Sequence, residues 1–253
     1  MAKLNKTKIK AQLATNSLIN SLHVLTKVDS TNSYLKSIKP QKTANICIAD
    51  QQTSGFGRRG NSWHSDGDNI CFSVQWQFAL KPEKLTSLAI ITSIICALQL
   101  QDLGFSQVLI KWPNDLIYHD KKLGGILIEQ DYNKQTSTVI IGIGINAAIT
   151  PGTPIDQDWI DLLSINSNFS RETIIIQIIK ALLPTLNNIK QQNLLNEYWH
   201  KFDWLNQQAV IVKSERNNIC GIAQGINPDG SLRLKTNNAI QNIYSGVCSL
   251  RKK

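Results

Sequence analysis

The chain has 253 residues, of which 42% are hydrophobic and 18% charged, with a formal net charge of +9. That length holds one domain, or a large one and a small one, and the apolar fraction supports a buried core, which excludes a disordered or fibrous chain. No run approaches the ~18 uninterrupted apolar residues of a membrane span, and the first ten residues lack the apolar stretch of a secretory signal, so a cytoplasmic protein without membrane contact is expected.

In chain order, Lys3, Lys6, Lys8 and Lys10 open a basic segment in which 7–18 reads as a short helix. Cap-type residues Asp29, Ser30, Thr31 and Asn32 precede Tyr34, Leu35 and Ile38, so a helix is expected to begin near Ser30. Two strands follow, at 45–50 and 69–78, separated by the Gly-, Asn-, Ser- and Asp-rich stretch 53–68. A long apolar helix at 85–103 ends at Gly104, and 108–112, 125–130 and 138–145 are β-branched strands. Composition then turns to Thr, Pro, Gly and Asp over 147–158, a mobile loop by this reading. Helices are expected at 171–190, disturbed at Pro184, and at 194–202.

Beyond Trp204 the runs shorten to strands at 209–213, 219–225, 231–235 and 240–250, with Asn227, Pro228, Asp229 and Gly230 as a turn. These read as a small β-barrel with a boundary near 205. Arg251, Lys252 and Lys253 close the chain; with the four N-terminal lysines they are seven cations, and the remaining 20 basic and 18 acidic residues leave only +2. Both ends therefore read as solvated tails, and nucleic-acid contacts are expected to be weak, salt-sensitive and without sequence specificity. The five cysteines, Cys47, Cys71, Cys96, Cys220 and Cys248, form no C-x-x-C pair and are expected to be buried free thiols.

The most informative segment is Gly55-Phe56-Gly57-Arg58-Arg59-Gly60. As a dinucleotide fingerprint it fails, because the Asn-, Ser- and Asp-rich residues 61–68 cannot open the helix that must follow. As a P-loop it fails because Asn61 stands at the lysine position, and no kinase motif accompanies it. What remains is a strand-flanked glycine loop carrying two arginines, suited to surrounding an anion, or else an exposed basic turn. Further along come Lys111-Trp112-Pro113-Asn114-Asp115, then Lys122-Leu123-Gly124-Gly125, then Gly142-Ile143-Gly144-Ile145-Asn146 at the end of a strand.

With Asp29-Ser30-Thr31-Asn32 and the run 52–63, these motifs resemble the biotin protein ligases, enzymes that attach biotin to carboxylase carrier domains. The resemblance covers about 24–253. One position departs from it: Phe56 stands where the family commonly carries Arg. It implies an α+β fold, a mixed β-sheet flanked by helices in a class II synthetase-like catalytic domain at 24–205, after a basic segment at 1–23 and before an SH3-like β-barrel at 206–253. Because 23 residues are too few for a DNA-binding unit, the chain looks like the ligase-only form.

The implied chemistry uses ATP and Mg²⁺ to turn biotin into biotinyl-AMP, which then acylates a lysine of a biotin carboxyl carrier protein. In that scheme Arg58 clamps carboxylate and phosphate, Arg59 seconds it, and Lys122 neutralises the developing charge. Asp115 helps to hold Mg²⁺ and Asn114 orients it. Ser30, Thr31, Asn32 and Gln52 match polar positions around the ureido ring, with Gly55, Gly57, Gly60, Trp63, Gly125, Leu127, Ile143 and Gly144 giving wall and room. Lys111, Asn146 and Trp159 belong to the adenylate side. Ser30 and Thr31 also read as helix caps, and Trp76 and Trp112 as core. The resemblance further suggests a homodimer through the central sheet. Competing readings are a lipoate or octanoate transferase of related fold and a biotin-responsive regulator without turnover.

Overall fold

The computed structural model describes every residue except 1, 2, 66, 67, 151, 154, 156, 192, 215–217, 238, 246, 247 and 253. Seven strands build the main sheet: β1 (Ile19–Val28), β2 (Ala44–Gln52), β3 (Ile70–Phe78), β4 (Leu109–Lys111), β5 (Asp115–Tyr118), β6 (Lys121–Asn133) and β7 (Thr136–Ile145). Their order is β1-β2-β3-β7-β6-β5-β4, with β1 parallel to β2 and every other pair antiparallel, so the sheet is mixed. The helices are α1 (Lys6–Leu13), α2 (Thr31–Lys36), α3 (Leu88–Asp102), α4 (Leu162–Ile165), α5 (Arg171–Asn187) and α6 (Leu194–Phe202).

Side chains alternate across a sheet, and here the alternation separates core from site. Ile46, Ile48, Phe72, Val74, Ile126, Ile141, Ile143 and Ile145 enter the main core with α3 and α5. The intervening Cys47 joins Leu35 of α2 on the opposite face. Small and polar residues Ser73, Gly125, Gly142 and Gly144 alternate with the core set and share that second face. The stretch Pro82–Asp102 is long and apolar enough to cross a membrane, yet its α3 part carries buried residues around most of its circumference and packs against α5 and α6.

Five strands, β8 (Ala209–Ser214), β9 (Asn218–Ile226), β10 (Leu232–Lys235), β11 (Ile240–Ile243) and β12 (Cys248–Lys252), form a second, antiparallel sheet in the order β11-β10-β9-β8-β12. The turn at 227–230 docks it on the first unit. Trp112 Nε1 donates to the Gly230 carbonyl at 2.9 Å and Thr86 Oγ1 to that of Asp229 at 2.7 Å. Gly230 is at φ +82° with Ser87 Cα 3.0 Å from where a Cβ would sit, so both conformation and space require glycine.

Several expectations need correction. The N-terminal segment is no solvated tail: Ile9 and Leu13 of α1 are fully buried, Leu4 N–H donates to Asp50, and Lys8 Nζ reaches Ser170 and Thr173. Three lysines among the eight residues of the helix concealed two core contacts. At the other end Lys252 lies 3.7 Å from the Trp204 ring centroid and 3.2 Å from Asp120. Strand β1 escaped notice because it is an edge strand whose apolar residues do not alternate regularly, and it crosses residue 24. Pro184 does not break α5, which continues to Asn187; the proline forfeits one bond, to the carbonyl of exposed Lys180, in the last turn. The run 240–250 is two strands, β11 and β12. Cys47, Cys71 and Cys96 are buried, but Cys220 is exposed, and the Cys248 side chain lies outside the described residues.

Candidate active site

A cavity of about 510 Å³ opens on the face of the main sheet that carries the glycines. Its floor starts at α2. Ser30 caps that helix, accepting from Ser33 N–H at 3.4 Å, and Thr31 N–H donates to Gln52 Oε1 at 2.8 Å, which ties the helix start to the end of β2. Ser73 of β3 lies beneath, 2.7 Å from Thr31 Oγ1 and 2.6 Å from Asn32 Oδ1. Ser30, Thr31 and Asn32 are each less than 5% exposed, so these groups are set before any ligand arrives.

The glycines make room for that arrangement. A Cβ on Gly142 would lie 2.5 Å from Asn32 Oδ1, and one on Gly144 2.6 Å from two carbons of the Trp63 indole. Trp63 is held from the other side by Gly55, whose carbonyl accepts its N–H at 2.9 Å. Its buried Nε1–H has no hydrogen-bond partner among the described residues. Burial raises the Cys71 thiol above its usual range, so it is packing rather than a nucleophile.

The rim is charged. The glycine loop closes through a Phe56 to Ser62 bridge and a Gly57 N–H to Asn61 carbonyl bond of 2.7 Å, and Arg58–Gly60 forms one tight helical turn with Arg59 at φ +60°. Arg58 donates from Nη1 to Asn114 Oδ1 at 3.0 Å and from Nη2 to the Ser245 carbonyl. Asn114 is fixed in turn by Ile126 through a pair of 2.9 Å bonds, one in each direction. The Trp112–Pro113 peptide bond before it is cis. Lys122 Nζ is 3.0 Å from Asp115 Oδ1, each side chain about one-fifth exposed. Lys36 is outside the lining, its Nζ 5.9 Å from the Phe56 ring centroid.

Most residues singled out in the sequence meet at this cavity: Ser30, Thr31, Asn32, Gln52, Gly57, Arg58, Arg59, Trp63, Lys111, Asn114, Asp115, Lys122, Gly125, Leu127, Ile143 and Gly144 all line it. Gly55 and Gly60 instead shape the loop behind. Asn146 is 6% exposed and donates to the Lys122 and Ile160 carbonyls, both at 3.2 Å, so it braces the wall. Trp159 sits in the segment that this brace holds: Lys122 N–H donates to the Asp158 carbonyl and Ile160 N–H to that of Lys122, each at 3.0 Å. Of the loop 147–158, positions 151, 154 and 156 lie outside the described residues, whereas Ile155 and Gln157 line the cavity. Sequence reasoning missed Ser62, His64, Gln157 and Leu250 as lining residues; only their neighbourhood to the motifs could have suggested the first two.

Among the described residues no three His, Cys, Asp or Glu side chains cluster as a protein-made metal site. Asp115 is the carboxylate in the lining, which fits an ion held chiefly by substrate phosphates. A buried polar floor beneath a cationic rim can hold a small polar ring at one end and an anion at the other.

Residues 24–146 match the Biotin/lipoate A/B protein ligase family and 207–251 the Biotin protein ligase C terminal domain. The bifunctional ligase/repressor BirA of Escherichia coli is 34% identical over 239 residues, 91% of this chain and 74% of that protein. The biotin–[acetyl-CoA-carboxylase] ligase of Paracoccus denitrificans is 26% identical over 84% of this chain and 93% of its own length. Among solved structures, the Aquifex aeolicus biotin protein ligase in complex with biotin and ATP superposes with a TM-score of 0.78 at 26% identity, covering 92% of this chain and all of that one. With matches that run through both sheets and every motif lining the cavity, the chain belongs to the biotin protein ligase family.

Proposed function

We infer that the protein is an ATP-dependent biotin protein ligase acting on the biotin carboxyl carrier protein of an acetyl-CoA carboxylase. The observation that carries this reading is the placement of Arg58 and Lys122 over a buried polar floor in one cavity. In the first step a biotin carboxylate oxygen attacks the α-phosphorus of ATP, the bond to the bridging oxygen breaks, and pyrophosphate leaves. In the second, the carrier lysine amine attacks the acyl carbon of biotinyl-AMP, AMP leaves, and an amide remains.

Both partners in the first step are anions, so fixed cations and positioning supply most of the acceleration. Lys122 neutralises charge at the carboxylate and α-phosphate, and Asp115, 3.0 Å away, holds its ammonium in place. Arg58 and Arg59 close on the adenylate, with Lys111 and Trp159 on the nucleotide side. Ser30, Thr31, Asn32 and Gln52 take the ureido ring, and Trp63, Gly144, Gly125 and Leu127 the bicycle and acyl chain. Magnesium would enter on the ATP phosphates and neutralise them, with Asp115 and Asn114 as its protein-side contacts.

A lipoate or octanoate substrate has no ureido N–H or carbonyl groups to bond the polar floor, which favours biotin. A non-catalytic regulator would have no use for Lys122 at the rim. The protein is placed in the cytoplasm, as a homodimer through the central sheet and without sequence-specific DNA binding. Thermal shift separates the substrate readings, because a ligand that binds only the folded state raises the melting temperature. Biotin should raise it and lipoate should not; a larger shift with lipoate would reverse the assignment.

A further inference from the structure

We propose that Glu129 of β6 is a positioning residue for the biotin ring: it sets the direction of a hydrogen-bond chain that leaves the Thr31 hydroxyl oxygen as an acceptor for the ligand. The proposal rests on the biotin reading above and concerns a residue outside the cavity lining. Glu129 is held by two donors, Lys36 Nζ at 2.7 Å from Oε1 and Asn32 Nδ2 at 2.8 Å from Oε2. A carboxylate only accepts, so the Asn32 amide must turn its nitrogen toward Glu129 and its oxygen inward. Gly142 leaves that oxygen no spare room, since a Cβ there would sit 2.5 Å from it.

Inward lie three oxygen-to-oxygen contacts in series: Asn32 Oδ1 to Ser73 Oγ at 2.6 Å, Ser73 Oγ to Thr31 Oγ1 at 2.7 Å, and Thr31 Oγ1 to Gln52 Oε1 at 3.0 Å. Two hydroxyl hydrogens serve all three. All three distances lie in the O–H···O range, so one contact must go without a hydrogen, and the longest loses least by it. Ser73 therefore donates to Asn32, Thr31 donates to Ser73, and the Thr31 and Gln52 oxygens meet bare. Gln52 Oε1 already accepts from the Thr31 backbone N–H at 2.8 Å, which keeps that amide oxygen in place. The two bare oxygens form a paired acceptor for one N–H, the group a cyclic urea supplies. Were the Asn32 amide reversed, Ser73 would donate to Thr31 and Thr31 to Gln52, and the pair would be closed to a donor.

Glu129→Gln preserves shape and reverses the chain. Because the Lys36 ammonium only donates, the new amide turns its oxygen to Lys36 and its NH₂ to Asn32. In biotin-dependent pyrophosphate exchange the KM for biotin should rise roughly tenfold or more, the cost of a lost buried hydrogen bond. The KM for ATP and kcat should stay within about twofold, since neither reacting end is touched. Lys36→Met alone keeps the carboxylate facing Asn32 and should leave the biotin KM within about twofold. Combining K36M with E129Q frees the amide to present its oxygen to Asn32, and the biotin KM should return to within about threefold of wild type, a coupling no independent pair of changes would show. Melting temperatures verify that each variant is folded. E129Q with a wild-type biotin KM, or a double variant as impaired as E129Q, would overturn the proposal. A folded wild-type protein without biotin-dependent exchange would overturn the ligase reading, and the proposal with it.

Discussion

On the floor of the cavity the polar side chains interlock: Ser73 is shared by Thr31 and Asn32, Gln52 by Thr31 and Ser65, and Asn32 by Glu129, while Ser30 accepts from the Ser33 backbone. At the rim the charged groups stand on loops and strand ends, and Lys122 and Asp115 keep about a fifth of their surface in solvent. On the proposed function the floor takes a neutral polar ring, where a buried unsatisfied group would be costly, so recognition falls to it. The rim holds its cations on protein partners that a bound anion would replace, so on the proposed function the chemistry falls there.

That division can be broken from the rim first. Lys122→Ala should lower pyrophosphate exchange by at least about a hundredfold, the usual loss when one positioned charge is taken from a developing anion, while the biotin-induced thermal shift persists. Exchange near the wild-type rate would remove Lys122 from the reaction. The floor gives the next largest effect. Gly144→Ala puts a Cβ 2.6 Å from the Trp63 indole; overpacking of this kind costs about 1–3 kcal/mol, so biotin affinity should fall ten- to a hundredfold, as measured by calorimetry. Unchanged affinity would show that the indole moves freely and forms no wall.

Arg58→Gly removes a rim cation whose guanidinium already bonds Asn114 and Ser245. Release of biotinyl-AMP should quicken roughly tenfold, with stability changed by no more than about 1 kcal/mol; stopped-flow release at the wild-type rate would discard the clamp. The smallest expected effect tests the core beneath. Burial pushes the Cys47 and Cys96 thiols up to about 12 and Cys71 upward as well. A raised thiol pKa means that thiolate is scarce until the pH climbs through it, leaving on the order of one part in ten thousand at pH 8 for Cys47 and Cys96. Iodoacetamide at pH 8 should therefore label Cys220 and spare those three; rapid labelling of Cys71 would show an open floor.

The rim was the more legible region. Arginines in a glycine loop and lysine beside a strand end are residue types that anion chemistry demands, and they stand out against ordinary turns. The floor was legible only in part, because Ser73 and Glu129 are single polar residues on strands whose importance depends on register. Only when β3, β6 and β7 are paired do Ser73, Glu129 and Gly142 share one face with Asn32. Strand β1 and helix α1 were hidden for a related reason: Asn20, Ser21 and His23 interrupt the apolar rhythm of an edge strand, and Ile9 and Leu13 are two contacts among lysines. The turn at 227–230 was plain from Asn227 to Gly230, but its second use, as the point where Trp112 and Thr86 grip the small sheet, required the tertiary structure.

The account as a whole depends on biotin being activated by ATP in this cavity, and exchange of labelled pyrophosphate into ATP measures that step without a carrier protein. Wild-type protein should exchange only when biotin is present, should not do so with lipoate in its place, and should lose the exchange in Lys122→Ala. Folded protein that exchanges equally with lipoate, or not at all with biotin, would contradict it.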